Sequence, residues 1–412
     1  MEKPNILFIL VDALRSDMVF GNARHVVTPN LDGLKKEGAG FGNLLVSTSM
    51  SSSSIASMLT GTYGFVHGIE TTDEDSLNAS LKTLPQLLKE NGYNTYAEMC
   101  WPIKPELGFG RGFCEYNMRP HKEQLRNAWS DSFIRRFKGG GFKEPWFLMF
   151  HTFALHRPRF VTRDFNKKKF GRVAYERAVS CLDSKLGEML DCAGDNTVVI
   201  LSSDHGEIYP KTKAREWLNN MWVAYYALLR KMRLSQSYFE GESHGFDLSE
   251  DVLKIPLLLK NLNGFPKGVV FNQLARSIDI APTLIDALGL SGSLGGKVQG
   301  RSLVPLARGE KISDADLYLY ARDVKLKSKG RWLEGIRTED FKLVFHPFSR
   351  NSGHELYDLR KGPLERRNLA AAMPEKVQEL LAKIKDLKQG TEFTEKDAQK
   401  VIEKLRDLEY ED

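Results

Sequence analysis

The chain has 412 residues, 42% of them hydrophobic and 27% charged, with a formal net charge of +6. This composition excludes a disordered or fibrous chain, and the length exceeds one compact core, so a large domain with a smaller companion is expected. The charge is too small and too dispersed for a nucleic-acid-binding stripe: the lysine-rich stretches at 167–169 and 325–329 read as solvated faces, although a basic balance helps draw in anionic substrates.

The first apolar run, residues 6–11, stops at Asp12. It is too short for a signal-peptide core and reads as a buried strand. No stretch approaches the roughly 20 apolar residues of a membrane-spanning helix. Four cysteines, Cys100, Cys114, Cys181 and Cys192, lack CxxC spacing and the density of a disulfide scaffold, so reduced thiols in a cytoplasmic protein are expected.

A serine cluster follows, in which Ser51-Ser52-Ser53-Ser54 leads into an apolar helix ending at Thr60-Gly61, and His67 lies just beyond. A hydroxyl at a helix N-terminus stands where an anion is best held, whereas helix capping accounts for one serine. Further apolar runs at 146–150, 197–201 and 255–259 alternate with helical periodicity at 81–91 and 175–191. That alternation predicts an α/β fold of three layers, α/β/α, around a large, mostly parallel central sheet. Asp12, His151 and Asp204 then fall at strand ends, on the carboxyl edge where open α/β sheets bind ligands. Asp204 and His205 side by side, with Asp12, suit one divalent cation; calcium, manganese, magnesium and zinc are all compatible.

Residues 206–243, with Trp217, Trp222, Tyr225 and Tyr226, read as a lid, a partner-binding element or a packed insertion, and as the place for a homo-oligomer contact. Beyond about residue 310 the texture changes to short strand-like pieces at 317–321, 332–337 and 342–346, then an amphipathic helix over 374–387. The expected division is a catalytic α/β domain, 1–310, and a small C-terminal α+β subdomain with a helical tail, 311–412.

Taken in order, these motifs resemble the sulfatase family of the alkaline-phosphatase superfamily. Pro4-Asn5-Ile6 through Asp12-Ala13-Leu14-Arg15-Ser16-Asp17 is similar to its first strand and metal aspartate, and Thr28-Pro29-Asn30 follows in place. The nucleophile-x-P-S-R signature closing on L-T-G falls on Ser51 to Gly61, Asp204-His205-Gly206 resembles the second metal motif, and His151 through His156-Arg157-Pro158 the substrate-side motif. His244-Gly245 ahead of Ile255-Pro256-Leu257, then Asp279-Ile280-Ala281-Pro282-Thr283, Gly300-Arg301-Ser302 and Glu355-Leu356-Tyr357-Asp358 continue the likeness.

The resemblance implies a metal-dependent hydrolase of a small anionic ester, sulfuric or phosphate/phosphonate. Ser51 would be both nucleophile and metal ligand, Asp12, Asp204 and His205 the other ligands, and His156 and His244 would orient the ester or protonate its leaving oxygen near neutral pH. Departures stand beside it: Ser53 and Ile55 replace the signature Pro and Arg, which argues against formylglycine, Ala13 replaces a second aspartate, and Met99-Cys100-Trp101-Pro102 lacks the lysine and histidine of the family's G-K-W-H element. Alternatives are a phospho-group transferase with the same residues, and a non-catalytic binding protein on a decayed scaffold. Retention of Asp12, Asp204 and His205 argues against the latter.

Overall fold

The apolar run behind Asp12 forms strand β1 (Asn5–Val11), buried along its whole length. Its side chains alternate between two hydrophobic clusters, Ile6, Phe8 and Leu10 on one face and Leu7, Ile9 and Val11 on the other. A strand covered on both faces reads as a near-continuous apolar run, and burial of each such side chain contributes about 1.5–3 kcal/mol. The computed structural model describes residues 3–389 except 22–24, 72–74, 121–127, 158, 160, 232–243, 313–315, 323–331, 350–352 and 363–364. The lysine-rich stretch at 325–329, Pro158, the end of the 206–243 segment and the tail from 390 lie outside the described residues.

After β1 come β2 (Ala39–Leu45), β3 (Asn94–Cys100), β4 (Glu115–Arg119), β5 (Trp146–Thr152), β6 (Thr197–Ser202), β7 (Lys254–Lys260), β8 (Val270–Phe271) and β9 (Ala275–Arg276). They form one sheet in the order β4-β3-β5-β1-β6-β7-β2-β8, with β9 also on β2. The pairs β3–β4, β3–β5, β1–β5 and β1–β6 are parallel, while β7 runs antiparallel to both β6 and β2. Helices Ser51–Thr60, Leu84–Glu90 and Ile280–Leu288 bury their apolar sides in one cluster, and Pro29–Glu37 and Ala174–Ala193 in the other. The α/β/α layering expected from the sequence is therefore observed.

The Ala174–Ala193 helix shows how the packing is specified. Tyr175, Val179, Leu182, Leu186 and Met189 recur at helical spacing, so one stripe faces the sheet. Asp183 on the same helix accepts from the backbone N–H groups of Leu31 (2.8 Å) and Asn30 (3.1 Å), satisfying the open N-terminus of Pro29–Glu37.

A second sheet, antiparallel, is built from β10 (Leu317–Ala321), β11 (Leu333–Arg337), β12 (Phe341–Phe345) and β13 (Glu355–Asp358). The Pro374–Gln389 helix packs Val377, Leu380 and Ile384 into the cluster shared with Leu317, Ile336 and Leu343. This sheet also touches the serine loop directly: Tyr320 N–H donates to Ser47 O at 2.9 Å. The four cysteines are free thiols, and among the described residues no helix is long and apolar enough to cross a membrane.

Candidate active site

Strands β5, β1 and β6 lie side by side, so their carboxyl ends deliver His151, Asp12 and the Ser203-Asp204-His205 turn to one place. The turn after β1 is tight: Ala13 adopts φ 62°, a left-handed conformation that costs a side-chain-bearing residue about 1–3 kcal/mol. Its surroundings hold it there. Ala13 N–H donates to Asp204 Oδ1 (3.3 Å), Leu14 N–H to Ser203 Oγ (2.9 Å), and Tyr175 Oη donates to Ala13 O (2.7 Å).

Ser51 opens the Ser51–Thr60 helix, which closes at Gly61 with φ 67°, a left-handed C-terminus suited to glycine. The Ser51 hydroxyl lies 3.4 Å from Asp12 Oδ2 and 3.2 Å from His205 Nε2. Asp12, Asp204 and His205 each offer a ligand atom within 4.8 Å of the others, all three buried. His205 Nδ1 bonds Gly206 O at 2.8 Å, so that nitrogen carries the proton and the Nε2 lone pair faces Ser51 and Asp12. Asp12 Oδ1 and Asp204 Oδ2 are buried without a hydrogen-bond donor, as is His151, whose Nε2 stands 3.5 Å from Asp204 Oδ2.

Burial and repulsion from Asp204 and Glu207 push the Asp12 carboxyl well above its ordinary range. Burial also raises that of Asp204, but His205 and His151 outweigh it and hold the group ionised. Without a cation, a proton on Asp12 must separate the two carboxylates. Two acceptor oxygens lacking donors, one imidazole lone pair and one hydroxyl are the donor set of a hard or borderline divalent ion, so these residues fit the metal that the family implies.

The remaining sequence candidates gather on the same side. The His244 ring lies over His205 with centroids 3.9 Å apart, and His156 stands 5.3 Å from His244. Ser49 ties the His244 loop to the serine loop by accepting from Gly245 N–H (3.0 Å) and donating to Asp247 O (3.2 Å). That engagement leaves Ser51, rather than Ser49, facing the carboxylates. His156 differs from expectation in charge: burial, then neighbouring His244, lowers its pKa to about 4, so the ring is neutral near pH 7. His205 is likewise lowered to about 4 by burial.

Two residues without an assigned role in the sequence reading complete the cluster. Glu207 is fully buried, 3.5 Å from His244 Nδ1, and accepts from Arg159 Nη2 at 2.8 Å. Burial works against its charge, yet His244 and Arg159 bring its pKa down to about 2. Its position directly after Asp204-His205-Gly206 was the available signal; Arg159 gave none. His67, conversely, belongs to the packing, fully buried and bonded to Ser57 Oγ and Ile69 N–H.

The signature departures acquire physical explanations. Ile55 is fully buried in the hydrophobic cluster, so the position where the family carries arginine serves the core. Ser53 bonds Ile69 O and the hydroxyl of Tyr320 on β10. Cys100 is buried against His151 O, and burial raises its thiol pKa, which removes it as a nucleophile.

A layered α/β/α sheet with buried carboxylates, imidazoles and a helix-start hydroxyl at its carboxyl edge defines an ester hydrolase of the alkaline-phosphatase-like class. The Sulfatase family model matches residues 4–290, and the model described as N-sulphoglucosamine sulphohydrolase, C-terminal, matches 241–391. The chain belongs to the sulfatase family. It is 22% identical to N-acetylglucosamine-6-O-sulfatase of Bacteroides thetaiotaomicron, over 96% of this chain and 87% of that one. With human N-acetylgalactosamine-6-sulfatase the identity is 25%, covering 88% and 79%. The crystal structure of phosphonate monoester hydrolase from Agrobacterium radiobacter shares the fold, with TM-score 0.69, 20% identity and coverage of 94% and 96%.

Proposed function

We propose that the chain hydrolyses a small anionic ester of sulfate or phosphorus by direct attack of unmodified Ser51. The observation that carries this reading is the Ser51 hydroxyl, at 3.2 Å from His205 Nε2 and 3.4 Å from Asp12 Oδ2. Asp12, Asp204, His205 and Ser51 would hold a divalent ion, whose chemistry is Lewis acidity toward the ester oxygens and a bias toward ionised serine. Ser51 as an oxyanion attacks sulfur or phosphorus, the bond to the leaving oxygen breaks, and water cleaves the resulting seryl ester. His244, paired with ionised Glu207, is the better placed proton donor for the leaving oxygen, and neutral His156 orients the ester by hydrogen bonding.

Fully buried Ile55 and the bonded Ser53 support an unmodified serine, and hence a phosphorus ester as in the phosphonate hydrolase of similar fold. The names of the relatives, both sugar sulfatases, support a sulfated sugar. Matched aryl sulfate, phosphate monoester, phosphodiester and phosphonate substrates separate the two, with sugar 6-sulfates alongside. Ser51→Ala is expected to lower turnover by more than about a thousandfold while the fold persists. Full activity in that variant would sink the nucleophile assignment.

A further inference from the structure

We propose that the outer face of the Lys213–Lys231 helix is a docking surface for an anionic lipid bilayer. Trp217, Leu218, Met221, Trp222 and Tyr225 recur at the spacing of one helical stripe, and each is between 49% and 62% exposed. Five large apolar side chains on one exposed stripe form a patch of the kind that marks an interaction site. The helix is anchored from its other side, which fixes the stripe outward. Asn219 is buried, and its carboxamide, with the oxygen toward the guanidinium, accepts from Arg157 Nη1 and Nη2 at 2.6 and 2.9 Å. Glu216 Oε1 accepts from the Ala174 N–H at 2.8 Å.

Charge identifies the occupant. Glu216 is the single acid in the Lys213–Lys231 sequence, and it is committed to Ala174. Lys211, Lys213 and Arg215 are exposed at the start of the helix, Lys211 also lying 3.7 Å from Asp251. Indole and phenol rings beside cations match the headgroup layer of an anionic membrane, where rings sit at the interface and each cation gains from the surface potential. A second copy of this chain fits less well: in a symmetric contact between these helices the partner helix offers Lys213 and Arg215 no acid beyond Glu216, which is already bonded to Ala174. A helix of 19 residues is about 28 Å long and lies flat on such a surface.

The test is sedimentation of the full chain with phosphatidylcholine vesicles, with and without phosphatidylglycerol; it does not depend on turnover. The wild type should bind the anionic vesicles at least about tenfold more tightly than the neutral ones, and less so as salt rises. W217S/W222S and K213E/R215E should each lose about tenfold or more, with circular dichroism and melting temperature unchanged. Equal binding to both vesicles, or wild-type binding by W217S/W222S, would overturn the proposal. So would a dimer that dissociates in W217S/W222S while no vesicle is bound, which would give the surface to a second copy.

Discussion

His67 offers a quantitative test of how the core beneath the serine helix is held. Its Nδ1 accepts from Ile69 N–H at 3.1 Å, so the proton resides on Nε2, 3.0 Å from Ser57 Oγ, and a second proton would set N–H against N–H. Burial lowers its pKa from 6.5 to about 3. The folded state thus resists a proton that the unfolded chain accepts. Stability is fully present above pH 6.5 and is lost as pH falls toward 3, by about 2 kcal/mol from this residue at pH 5. His156 and His205 shift in the same direction, so a bare pH profile would mix the three. Urea denaturation of the wild type and of His67→Gln, each at pH 7 and pH 5 and at fixed metal concentration, isolates the term because the other histidines cancel. The stability advantage of the wild type over the variant should shrink by about 2 kcal/mol between the two pH values. An advantage that is the same at both would refute the buried neutral tautomer.

Two further outcomes follow from the site. Chelation of divalent ions should abolish turnover and lower the melting temperature, because Asp12 and Asp204 are then left facing each other in a buried space; re-addition of an ion restores both, and indifference to chelation would remove the metal from the reading. Ile55→Arg restores the family's residue in sequence but buries a guanidinium in the core, and should cost at least about 3 kcal/mol in urea denaturation. A stable variant would show that this position opens onto the site after all.

The strands buried on both faces were the most readable part of the chain. The middles of β1, β5, β6 and β7 are continuous apolar runs, so those ending before Asp12, His151 and Ser202 announced both the sheet and its edge. β2, with the sequence AGFGNLL, carries two glycines and a polar residue and has no such signature. β3 and β4 are richer in polar groups, since Glu98, Glu115 and Arg119 take part in a charge cluster with Arg136. Nor could composition reveal that β7 runs against its neighbours, because direction depends on connections rather than on side chains. Within the site, residues adjacent to readable strand ends were found; Glu207 and Arg159 acquire meaning through each other, across 48 positions of sequence.

The contact between β10 and the serine loop bears on how such enzymes diversify. Tyr320 reaches the serine segment twice, through its N–H to Ser47 O in the loop and through its hydroxyl to Ser53 in the helix, two residues from Ser51. A mutation that shifts the small sheet is thereby transmitted toward the Ser51 hydroxyl without touching the large one. Chimeras that exchange C-terminal sheets between relatives would consequently inherit catalytic tuning along with shape, and a tyrosine-to-phenylalanine drift at this one position would sever half of the linkage.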